Sequence, residues 1–192
     1  DFGRRFARDR DTLPQSDADR AFHLVAVAAE VIDYQLPFSS EERADALINR
    51  GRDLLDEAIS LDPKCHDAIR MRASRVSPSF DAQFTFLQEG ADEVLASCQE
   101  ARDAVPNDGD DERIALGRDI ALRPYRRWMA ALAEEALICG RNHSCIGAGE
   151  RLLEQDPSDQ ADVRFTLALA YAKLEDEASL DALAKCYGTI IQ

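Results

Sequence analysis

Apolar side chains recur along this chain at three- and four-residue steps, the spacing of one face of an α-helix. Ser16-Asp17-Ala18-Asp19 offers an N-cap with an acid three residues on. Phe22, Val25, Ala26, Ala29 and Ile32 then form a stripe that predicts a helix over 17–35 with that face buried. Leu36-Pro37 ends it, because the ring removes a backbone donor and pushes the preceding residue out of helical geometry. Ser39 and Glu42 are spaced as a capping box for the next helix, whose stripe of Ala44, Leu47, Ile48, Leu54, Leu55, Ala58 and Ile59 runs to Asp62-Pro63. Further helices are predicted near 66–76, 79–104 with Gly90 as a candidate break, 111–122, 125–139, 145–155, 160–174 and 177–190. No stretch sustains the alternation of a strand, and Val, Ile, Tyr and Thr are thinly spread. The expected class is all-α, with about nine to ten helices.

Two of the predicted breaks share a phrase. "ISLDPKCHDAIR" at 59–70 and "LEQDPSDQADVRF" at 153–165 each end an apolar stripe at Asp-Pro, with Ile69-Arg70 or Val163-Arg164 following six and seven residues after the proline. Proline stops one helix at the aspartate, and the polar residues behind it cap the next. "AVPND" around Pro106 reads as a third corner. The prolines are 43 and then 51 residues apart, an irregular repeat of helix, turn and helix in which the longer interval has room for one extra helix.

With those corners in place, the chain resembles tetratricopeptide-repeat (TPR) proteins, whose unit is two antiparallel helices closed by a proline. "GRDLLDEAISLDP" at 51–63 is similar to the second helix of a repeat, with small Gly51, large Leu55 and small Ala58. "ADVRFTLALAYAKLED" at 161–176 is similar to a first helix, with Leu167-Ala168 followed by Tyr171. The resemblance implies a right-handed stack of antiparallel helix pairs, a TPR-like α-solenoid, in one domain over 1–192. Residues 1–47 would form an atypical N-terminal cap region and 48–192 the helix pairs. A two-helix unit cannot bury its stripe alone, so such units pool one elongated core.

Composition narrows the function. Of 192 residues, 45% are apolar and 31% charged, enough apolar material for a packed core. Thirty-seven acids against 23 Lys and Arg give a net charge of −14, which repels nucleic acid and anionic membranes and suits a basic partner. The longest apolar run, 24–32, contains Glu30 and is too short to span a bilayer. The start, "DFGRRFARDRD", has neither a signal-peptide core nor an initiator Met, so a fragment of a longer chain is expected. Five cysteines, an odd number set mostly in apolar helix, form no secreted disulfide framework, and a reducing cytoplasm is the expected compartment.

Catalytic chemistry finds little support. In "CGRNHSC", Cys139, His143 and Cys145 could ligate zinc, yet a closed site needs a fourth ligand at ordinary spacing. The plain alternative places both cysteines on apolar faces and His143 in the turn. Cys65-His66 points its two side chains to different faces, against an activated thiol. "IGAGER" at 146–151 lacks the strand and third glycine of a dinucleotide site, and "DFG" at 1–3 stands without the other kinase motifs. The acids at 108–112 sit at a helix start, where the helix dipole accounts for them.

One basic cluster opposes the overall charge: Arg118, Arg123, Arg126 and Arg127 gather around Pro124, Tyr125 and Trp128. Arg and Trp are enriched where proteins grip partners. Against that, Trp128 can be core while the arginines pair with nearby acids. The resemblance adds Asp162, Phe165 and Leu169 as groove residues on a first helix. The expected function is a non-enzymatic scaffold that binds a protein or peptide through Arg123, Arg126, Arg127, Trp128, Asp162, Phe165 and Leu169, with no cofactor, metal, nucleic acid or membrane. The alternatives are a self-associating module of a longer regulatory protein and, further off, a zinc- or thiol-dependent enzyme.

Overall fold

The computed structural model describes residues 16–107 and 109–188, which are helical or connecting throughout, with no strand among them. We number the α-helices α1 (Asp17–Ala29), α2 (Glu41–Leu61), α3 (His66–Val76), α4 (Phe80–Asp103), α5 (Asp111–Ile138), α6 (Asn142–Gln155), α7 (Val163–Lys173) and α8 (Glu177–Tyr187). The last predicted helix extends to 190, and its final residues lie outside the described ones. The chain divides into two compact units, Asp1–Arg72 and Ala73–Gln192.

In the first unit, Ser16 caps α1 as its spacing predicts. The Asp19 amide donates to the Ser16 hydroxyl at 3.1 Å, and the Ser16 amide donates back to the Asp19 carboxylate at 3.1 Å. The helix continues as a π-helical segment, Glu30–Gln35, and a 3₁₀ turn, Leu36–Phe38, that carries Pro37. The buried face of α1 is rotated from the predicted stripe. Ala21, Val25, Ala28, Val31 and Ile32 are inside, whereas Phe22 is 62% exposed. The reason is close packing against α2, where a Cβ on Gly51 would lie 2.9 Å from the Ile32 side chain. The π segment thus packs on α2 through Gly51, the small Ala21 and Ala28 of α1 are fully buried, and the bulky Phe22 is left outside. Leu55, Ala58 and Ala68 complete that core. The capping box expected at Ser39 is corrected too: Ser40 is the N-cap of α2, and the Ser39 hydroxyl donates instead to the Leu36 carbonyl at 2.8 Å.

The second unit is built on α4 and α5. Ser79 caps α4 through the Ala82 amide (3.1 Å), and Asp110, from the acidic run, caps α5 through the Arg113 amide (3.0 Å). Gly90 does not break α4; its missing side chain makes room for Trp128, whose ring a Cβ there would meet at 2.7 Å. The Trp128 indole donates to the Leu87 carbonyl at 2.8 Å and lies 5.4 Å from the Phe86 ring. The two helices predicted at 111–122 and 125–139 are one, with Pro124 inside α5. Proline forfeits one helical hydrogen bond. Tyr125, Trp128, Met129, Leu132, Ala133 and Ala136 are buried immediately after it, and that burial holds the helix together through the defect.

The three prolines read as corners, Pro63, Pro106 and Pro157, lie in connections. At the last, the aspartates explain the phrase that precedes and follows proline. The buried Asp156 carboxylate accepts from the Ser158 hydroxyl and the Gln160 amide. The buried Asp159 accepts from the Val163 and Arg164 amides and from the Arg164 guanidinium. Both acids thus satisfy the open amides of the turn and of the start of α7.

Candidate functional site

Within the second unit, α4 and α6 flank α5. Arg141 at the head of α6 reaches Asp81 at the head of α4, and Arg151 farther along α6 reaches Asp92 farther along α4, each at 2.9 Å. These two pairs set α4 and α6 running in the same direction with a groove between them. Its floor is Met129 and Leu132 of α5. One wall is Phe84, Gln88, Ala91 and Asp92 of α4, and the other is Ser144, Gly147, Ala148 and Arg151 of α6. The groove has a volume of about 340 Å³, at the small end of ligand-sized sites.

The two glycines of "IGAGER" have separate jobs here. A Cβ on Gly149 would lie 2.7 Å from Leu167 of α7, so this glycine lets α6 and α7 close up. A Cβ on Gly147 would meet nothing within 4 Å, because it would stand in the open groove. The arginines over the groove are also ordered by rings: the Arg141 guanidinium lies 4.7 Å from the Phe84 ring centroid, and that of Arg151 lies 5.9 Å from Tyr125. Burial raises the Tyr125 hydroxyl above its ordinary pKa, and the hydroxyl has no hydrogen-bond partner.

None of the residues expected to bind a partner lines this groove, although Gly147, Ala148 and Arg151 of "IGAGER" do. Arg123 and Arg126 are committed to Asp119, which accepts from Arg123 at 3.0–3.1 Å and from Arg126 at 2.6 Å. Arg127 is half-buried, and Trp128, at 2% exposure, is core and presents no surface. Asp162 is exposed with a left-handed backbone (φ 56°) and pairs with Arg164 at 2.7 Å; the same guanidinium covers the half-buried Phe165 ring at 4.3 Å. Leu169 is 57% exposed. Asp162 and Phe165 therefore meet through Arg164, at a place apart from the groove between α4 and α6.

The thiols are placed by packing. Cys145 is buried against the Thr166 carbonyl, and burial pushes its pKa up to about 11. Burial, and then the Asp81 carboxylate to which it hydrogen-bonds, raises Cys139. His143 is exposed. Among the described residues, no group of three or more His, Cys, Asp or Glu is arranged to hold a metal ion. No described helix is long and apolar enough to cross a membrane. Residues 1–3, the "DFG", and Asp108 of the acidic run lie outside the described residues.

Comparison of the chain with protein-family models, with curated proteins and with solved structures returns no match.

The groove escaped the sequence reading because three helices distant in sequence build it. The available signal was Gly147 itself: an interior helical glycine costs stability and calls for a spatial reason.

Proposed function

We propose that this chain is a non-enzymatic, TPR-like helical scaffold that holds a protein or peptide segment between α4 and α6. The observation that carries this reading is the open groove. It is preformed, with an apolar floor of Met129 and Leu132 and polar groups on both lips. An apolar side chain entering it leaves water without any rearrangement of α4, α5 or α6, which keeps the ordering cost of binding low. The parallel course of α4 and α6 over α5 is what a stack of helix pairs provides, and it supports the likeness read from "GRDLLDEAISLDP" and "ADVRFTLALAYAKLED".

Gly147→Leu tests the reading, since its Cβ meets nothing within 4 Å and the rest of the side chain extends from a groove-lining position. Peptides selected against the whole chain from a displayed random library are measured by titration calorimetry against both proteins. The expected result is an affinity loss of about tenfold or more in the variant, with unchanged helicity by circular dichroism. Equal affinity for both proteins, or no selected peptide, overturns the proposal.

A further inference from the structure

We infer that the segment held in this groove is basic: a large apolar side chain seated on Met129 and Leu132, flanked by lysine or arginine that meets the carboxylates on the lips. The inference rests on the groove reading above and adds the chemistry of the occupant. Along the stretch that forms the walls, α4 exposes Asp81, Glu89, Asp92 and Glu93, and α6 exposes Glu154, while Glu150 is turned to α7, where it accepts from the Tyr171 hydroxyl at 2.8 Å. Over the same length the guanidiniums are those of Arg141 and Arg151, both already engaged by Asp81 and Asp92. Glu154 adds a further negative charge close to Arg151. An arriving carboxylate would have to displace an intramolecular one and would meet net negative potential at the lips and a chain of charge −14 beyond them. An arriving ammonium or guanidinium finds carboxylates of which Asp81 and Asp92 are largely in water, in ion pairs weak enough to be shared or exchanged. The floor selects the other half of the occupant, because the surface it offers inside the groove is apolar: Met129 and Leu132, with Phe84, Ala91 and Ala148 beside them.

The test uses the whole chain and four blocked peptides: Lys-Lys-Phe-Lys-Lys, its glutamate counterpart, a serine counterpart that keeps only Phe, and a lysine peptide with Ser in place of Phe. Calorimetry is run on the wild type, on Gly147→Leu, and on the double variant Asp81→Asn/Asp92→Asn. The Lys-Phe peptide is expected to bind best and to weaken about tenfold between roughly 0.05 and 0.5 M salt. It should be lost in Gly147→Leu, and in the double variant, where Arg141 and Arg151 are released, the glutamate peptide should overtake it. If the glutamate or serine peptide binds the wild type as well as the Lys-Phe peptide and is still lost in Gly147→Leu, the groove binds peptides but the basic occupant is wrong. If the Phe-free lysine peptide binds equally, the attraction is surface charge alone and the inference falls. If no peptide responds to Gly147→Leu, the groove reading itself falls.

Discussion

Gly90, Gly147 and Gly149 lie in helix interiors, and what each would touch with a methyl group separates them. Gly147→Ala should stabilise the protein by about 0.5–1 kcal/mol, since alanine is the better helix former and nothing stands in its way. Gly90→Ala and Gly149→Ala put a methyl 2.7 Å from Trp128 and Leu167, both fully packed, and should each cost about 1–3 kcal/mol. Urea unfolding of the three variants measures the contrast, and three changes of one sign would refute it. In the sequence these glycines look alike, because the string records the missing side chain and not the neighbour that requires its absence. The arginine and tryptophan cluster was read with the same handicap. Its spacing showed Arg123, Arg126 and Trp128 together, while the indole's place beneath Gly90 depends on a helix about forty residues upstream.

At the scale of elements, Pro63, Pro106 and Pro157 fall in connections because an apolar stripe stops before each, and so these corners were legible. Pro124 interrupts a stripe that continues on both sides, and there burial overrides the local preference. Asp119, one turn before Pro124, spans the defect by accepting from Arg123 and Arg126. The hydrogen bond from Arg126, more than that from Arg123, holds its carboxyl below the usual range, against the opposing effect of burial. A depressed folded-state pKa means stability present above the unfolded value of about 3.9 and lost as pH falls through the folded one. Asp119→Asn should therefore cost about 1–2 kcal/mol near neutral pH and progressively less in acid, where wild type and variant converge. Thermal melts of both proteins from pH 7 down to pH 3 check this, and a gap independent of pH would contradict it.

For the molecule as a whole, helix class and most helix positions were legible because periodicity is local, while the rotated face of α1 and the groove were not, because both are set by partners. The division at Arg72 leaves α4, α5 and α6 with every lining residue of the groove in one unit. A fragment of residues 73–192 should fold alone, with a helical circular dichroism spectrum, one cooperative unfolding transition and the peptide affinity of the full chain. A fragment that is unfolded, or folded without that affinity, would count against the autonomy of the unit.

Trp128 is the sole tryptophan of the chain, sealed beneath Gly90 and next in sequence to the groove floor at Met129. The protein thus carries its own optical gauge, a dry indole whose emission colour follows the seam of α4 with α5 with no dye attached.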